Sequence, residues 1–131
     1  MNMSSPRFYS LIDSLARRLG LGGRTIRRLQ AVLRRAKPGD EYTFEFLVKE
    51  VDPPSIEDLA AALTVLVDKG VLNQIVRVES PTTHGGIGDY NSIQEVPDEL
   101  HDWRADEEVR VKPENLRVLY KPSWNPNLAL R

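Results

Sequence analysis

Between residues 24 and 36 the apolar positions Ile26, Leu29, Val32, Leu33 and Ala36 share one face of a 3.6-residue period, and Arg24, Arg27, Arg28, Arg34 and Arg35 share the other. That pattern predicts a strongly amphipathic helix whose polar side is almost entirely arginine. Upstream, Phe8, Leu11, Ile12, Leu15 and Leu19 have the same spacing, with Ser4 or Ser5 as a cap and Pro6 in the first turn. A first helix is expected there, closed by Gly20, Gly22 and Gly23. The stretch Lys37-Pro38-Gly39-Asp40 stops the second helix, and a short extended segment over 41–44 precedes a brief helix through Phe46, Leu47 and Val51. Pro53 and Pro54 break the chain, Ser55 is a favourable N-cap and Asp58 stands three residues on. Ile56, Leu59, Ala60, Leu63, Leu66 and Val67 then form the expected buried stripe of a helix over 55–69. Lys69-Gly70 is its stop signal, with glycine suited to a left-handed C′ position.

After Gly70 the period drops to two. Val76 and Val78 alternate with Arg77 and Glu79, which predicts a strand, and 80–88 reads as a long turn rich in Gly, Pro and Thr. Residues 89–93 are expected to return as the partner strand, and 97–100 to form a turn or one helical turn. Val109 and Val111, then Leu116, Val118 and Tyr120, alternate on either side of Lys112-Pro113-Glu114-Asn115, so a second hairpin pairing 107–112 with 116–121 is expected. No period runs through the tail, and there is no internal repeat.

The order helix, short strand, helix, Pro-containing turn, longer helix, hairpin resembles the winged-helix superfamily over residues 25–93. The resemblance rests on the elements above and on Leu66-Val67-Asp68-Lys69-Gly70-Val71-Leu72, a junction where glycine allows a sharp exit and Val71 and Leu72 pin the wing to the core. It implies an α+β fold, with a three-helix core and a β-hairpin wing, an extra N-terminal helix, and a C-terminal β-hairpin and tail. The corresponding division is one domain over 1–121 (extension 1–23, core 24–93, hairpin 94–121) and a tail over 122–131. The segments Asp89-Tyr90-Asn91-Ser92-Ile93 onward and Val111-Lys112-Pro113-Glu114-Asn115 onward also look faintly like small accessory modules of multi-gene bacterial systems.

Charge changes what that resemblance means. The 131 residues have a net charge of −1, yet residues 1–37 carry nine basic side chains against Asp13 alone, a balance of +8, and the rest balances at −9. In winged helices that bind DNA, the helix after the turn enters the major groove. Here that helix, 55–69, carries Glu57, Asp58 and Asp68 with Lys69 as its only cation, and the wing segment 80–88 has no Lys or Arg. Carboxylates beside phosphates oppose the main source of DNA affinity. Arg17, Arg18, Arg24, Arg27, Arg28, Arg34 and Arg35 are the better candidates for contact with a phosphate backbone or with an acidic protein. Docking of some of them on the chain's own acidic half stays open as a third reading. Glu57, Asp58, Asp68, Trp103 and Trp124 are the candidate partner-interface residues, although a Trp in the place of Trp103 most often caps a core.

Candidate chemistry is sparse. With no cysteine there is no disulfide, zinc ribbon or thiol nucleophile. His84 stands in a glycine-rich turn that matches no phosphate-binding loop, because it opens no helix and has no lysine. His101, with Asp106, Glu107 and Glu108 near it in sequence, is the one place to sketch a divalent-metal site, and solvated loop carboxylates are the commoner outcome. No catalytic residue, metal, cofactor or small-molecule substrate is expected. The longest mostly apolar run, 59–67, is nine residues and includes Thr64, too short to cross a bilayer. The expectation is a non-enzymatic cytoplasmic regulatory or adaptor module that binds another protein or itself, with double-stranded DNA as the alternative partner.

Overall fold

A computed structural model of the chain describes residues 14, 17, 18, 20 and 22–123. Ser14, Arg17 and Arg18 are helical and exposed, while the rest of the expected N-terminal helix, and Trp124 with the tail around it, lie outside the described residues. The fold is α+β, with its strands in one four-stranded and one two-stranded sheet among the described residues. Two compact units emerge: one runs to Asn73 and resumes at Lys121, the other is Gln74–Tyr120.

The first unit contains α1 (Gly23–Arg34), β1 (Tyr42–Thr43), α2 (Phe44–Val51) and α3 (Ile56–Asp68). Ile26, Leu29 and Leu33 of α1, Leu47 and Val51 of α2, and Leu59, Ala62, Leu63 and Leu66 of α3 are buried. The stripe of α3 is turned slightly from the expected one. Ile56 stays 54% exposed because the first turn carries it past the core, and Ala62 takes the inward place expected of Ala60. Local chemistry sets each helix end. Lys37 N–H donates to Asp40 Oδ2 at 2.8 Å across a turn with Gly39 at φ +93°, which separates α1 from β1. Thr43 Oγ1 accepts from Phe46 N–H at 3.1 Å, so α2 starts two residues before its first expected apolar position. Ser55 Oγ accepts from Asp58 N–H at 3.1 Å, the expected N-cap of α3.

At the far end of α3, Val71 N–H donates to Leu66 O at 2.9 Å and Gly70 N–H to Val67 O at 3.0 Å. With Gly70 at φ +76° this is a Schellman closure, and the positive φ is where glycine is needed. The closure turns Val71 and Leu72 into the core, where both are buried, as the junction predicts.

The second unit is built from β2 (Leu72–Glu79), β3 (Gly86–Tyr90), β4 (Glu99–Asp102), β5 (Glu107–Arg110) and β6 (Leu116–Pro122), with β2 and β6 each lending one end to the first unit. The four-stranded sheet has the order β1-β6-β2-β3, and β4 pairs with β5. β2 and β3 run antiparallel in the register Val76↔Tyr90 to Val78↔Gly88, with an irregularity between Val78 and Glu79. Val76, Val78, Val109, Leu119 and Tyr120 are buried, and burial raises the phenol pKa of Tyr120.

Two expectations are corrected here. The return strand of the first hairpin is residues 86–90 rather than 89–93. A strand beginning Gly-Ile-Gly shows no alternation, and its glycines serve close approach instead: a Cβ on Gly86 would lie 2.9 Å from Arg77 Cδ. The hairpin expected between 107–112 and 116–121 does not form. β5 pairs with β4, Glu99 opposite Arg110 and Asp102 opposite Glu107, while β6 inserts between β1 and β2. The reason is a turn without Gly or Pro. Asp102 Oδ1 accepts from Arg104 N–H at 3.1 Å and Ala105 N–H at 3.3 Å, and Asp106 at φ 50° completes the reversal. Lys112-Pro113-Glu114-Asn115 only bends the chain, held by Lys112 N–H to Asn115 Oδ1 at 3.0 Å.

Candidate binding surfaces

The arginines of α1 form the clearest charged surface. Arg24, Arg27, Arg34 and Arg35 are exposed and Arg28 is half-buried, its Nη1 3.9 Å from Asp52 Oδ2. Arg34 and Arg35 lie at the C-terminal end, where the helix dipole favours cations. The N-terminal end is different. Gly22 caps it without a side-chain hydrogen bond, its first turn holds no acidic residue, and Arg24 stands there against the positive end of the dipole. Helix chemistry therefore does not account for that cation. In α3 the reverse holds: Glu57 and Asp58 sit in the first turn, where the dipole favours them, and Asp68 at the last turn is the carboxylate that the dipole disfavours. Glu57 and Asp68 are exposed, and Asp58 is half-buried beside its cap.

Trp103 is 83% exposed. Its expected role as a core cap is thus replaced by a surface one. It occupies the β4–β5 turn against His101, with ring centroids 4.2 Å apart and planes at 65°. His101 is held between two carboxylates, with Glu108 Oε1 2.6 Å from Nδ1 and Asp106 Oδ1 3.2 Å from Nε2. The hydrogen bond to Glu108, supported by the Asp106 charge, holds the imidazole above its ordinary pKa. Protonated, the ring donates from both nitrogens at once. The carboxylates engage opposite sides of the ring, so they do not converge with a ring nitrogen on one point as metal ligands must. Among the described residues no cluster of three or more such side chains could hold a metal ion.

Beside Trp103 lies a cleft of 200 Å³ lined by Thr83, Gly85, Gly86, Ile87, His101, Asp102, Trp103 and Arg104. A larger and more open concavity of 430 Å³ is lined by Arg77, Gly86, Gly88 and Asp89. There Arg77 and Asp89, directly opposite across β2 and β3, hold each other at 2.8 and 2.9 Å. Its charges are already engaged, so the smaller cleft with the exposed indole is the better binding feature.

Under that cleft is a polar pair that the sequence did not single out. Ser80 and Asp102 are both buried, and the Ser80 hydroxyl donates to Asp102 Oδ2. Ser80 Oγ also accepts from Thr82 N–H at 3.2 Å and Thr83 N–H at 3.1 Å. The Ser80 hydroxyl, with the backbone N–H groups of Ala105 and Arg104, lowers the pKa of Asp102. Through these bonds the pair ties the 80–85 turn to the β4–β5 turn. The available signals were Ser80 followed by Pro81-Thr82-Thr83, and Asp102 two residues before Arg104, both side-chain-to-backbone turn patterns.

Three comparisons, with family models, curated proteins and solved structures, find no match for the chain. Among the described residues, no helix is long and apolar enough to cross a membrane.

Proposed function

We propose that this chain is a non-enzymatic adaptor or regulatory module of winged-helix-like build that grips an acidic protein partner through the arginine face of α1. The winged-helix reading is supported by the order α1, β1, α2, α3 and the β2–β3 hairpin, with the Schellman closure at Gly70 leading into β2. The observation that carries the functional reading is the exposed Arg24 in the first turn of α1, where the helix itself disfavours a cation, with exposed Arg27 about one turn further on. Arginine suits a protein partner because its planar fork binds carboxylates bidentately. The helix that a DNA-binding winged helix would place in the groove, α3, starts instead with Glu57 and Asp58.

Double-stranded DNA is the second reading, favoured by the same arginine face lying along a phosphate backbone without reading bases. A salt titration with a labelled random-sequence duplex, followed by fluorescence anisotropy, separates them. The protein-partner reading expects no micromolar binding near physiological salt. Micromolar or tighter binding there, with a log–log salt slope of about −0.9 per phosphate neutralised, would overturn it. That binding would also have to disappear in Arg27→Glu/Arg28→Glu/Arg35→Glu if the arginine face is responsible.

A further inference from the structure

We infer that the Trp103 face of the Gln74–Tyr120 unit is a docking surface for the α1 arginine face of a second copy of this chain, in a head-to-tail contact. The inference rests on the reading of α1 as a grip for acidic protein surface, and it names the surface gripped. Charge complementarity is the first argument. Residues 23–37 hold six basic side chains and no acidic one, whereas 74–120 hold ten acidic and five basic ones. The second argument is the chemistry of the exposed indole. Trp103 leaves 83% of its surface in water, so its ring is open to a partner. A guanidinium is the group that stacks on an indole and at the same time pairs with carboxylates beside it. Those carboxylates are present: Asp106 is 89% and Glu108 65% exposed, both reached from the same β4–β5 turn. α1 contains arginine and no lysine, and Arg24, Arg27 and Arg28 fall within about one helical turn of each other.

Two cations on the docking side set the limits of the contact. His101 shares its carboxylates, so part of their charge is already countered when the ring is protonated. Arg104 lines the cleft and lies against Gly85, where a Cβ would stand 3.4 Å from its Nη1. A contact of this kind is weak and salt-sensitive rather than permanent. A head-to-tail contact between two different surfaces is heterologous, so a bound pair still offers one free surface of each kind.

The test is sedimentation of the full chain from about 1 to 200 µM at about 50 and 500 mM salt. The expected result is a mass that climbs past the dimer with concentration at low salt and returns to the monomer at high salt. Trp103→Ala and Arg24→Glu/Arg27→Glu change exposed side chains and are each expected to leave a monomer. Mixed in equal amounts, they are expected to form a one-to-one complex that grows no further, since each retains the surface the other lacks. A wild-type chain that stays monomeric at low salt overturns the inference. So does a pair of monomeric variants that fail to complement. Neither result touches the grip on another acidic protein, which the DNA titration tests separately. Circular dichroism of both variants, unchanged from wild type, shows that the losses are not failures to fold.

Discussion

Replacing Ser80 with alanine probes the pin beneath the Trp103 cleft. One hydroxyl is lost, but three interactions go with it: the donor to Asp102 and the acceptor for the Thr82 and Thr83 N–H groups. Ser80 is only 1% exposed and Asp102 is buried, so water cannot easily replace the hydroxyl at Asp102, although Thr82 and Thr83 are exposed residues. Leaving buried partners unsatisfied costs about 1–3 kcal/mol, against about 1 kcal/mol or less for an ordinary exposed hydrogen bond. The matched control is Thr82→Val, which removes a short side-chain bond to Glu107, 2.5 Å, from an exposed position. Amide hydrogen exchange read over Gln74–Tyr120 isolates this unit from the opening of the rest of the chain. The expected acceleration for Ser80→Ala is about 5- to 150-fold across amides that exchange by opening of the unit, and for Thr82→Val about 5-fold at most. The pin also predicts an acid signature. Asp102 has a lowered folded-state pKa, so its contribution is present above the unfolded value of about 3.9 and is lost as pH falls through the folded one. Since Ser80 is the largest cause of that lowering, the acid transition of Ser80→Ala must move to higher pH. Equal exchange in the two variants, with an unmoved acid transition, would refute the assignment of Ser80 and Asp102 as a buried structural pair.

Other expectations follow from single positions. His101 has a raised folded-state pKa, so the stability it adds is full below the unfolded value of about 6.5 and fades as pH rises through the folded one. Urea unfolding of wild type and His101→Ala at several pH values must therefore show a gap that narrows on the alkaline side, and a gap independent of pH would count against the two-carboxylate clamp. Leu63→Ala in the fully buried stripe of α3 is expected to cost about 2–5 kcal/mol in denaturant unfolding of the first unit. Gly70→Ala meets open space, so it tests the backbone alone: at φ +76° it is expected to cost about 1–2 kcal/mol. A neutral Gly70→Ala would mean that the Schellman closure is not set by its left-handed residue.

Elements whose signals are local can be read from the residues alone. The arginine and apolar faces of α1 follow from a period that only a helix satisfies, and the Ser55 cap and the Gly70 stop are chemistry between residues within one turn. The alternation of Val76 and Val78 identified β2 for the same reason, since a half-buried strand shows its inner face every second residue. Arg24, Arg27, Arg28, Arg34 and Arg35 form one surface because helix periodicity places them together whatever the remainder of the chain does, which it does not do for Arg17 and Arg18 of the upstream helix. Strand partners are set by long-range packing, because antiparallel segments of similar alternation are interchangeable until turns and packing select between them. That is why β5 joins β4, across a turn made by the Asp102 carboxylate and a left-handed Asp106, and leaves β6 to lie between β1 and β2. Tertiary structure also decided the environment of Trp103. A tryptophan between polar neighbours reads more often as a core cap than as a surface anchor, and only the β4–β5 turn, which carries it outward against His101, reverses that reading. The Ser80–Asp102 pair was hidden for a related reason: 22 residues apart, neither side chain has a reason to be buried until the two turns meet and each supplies the hydrogen bonds that the other lost with water.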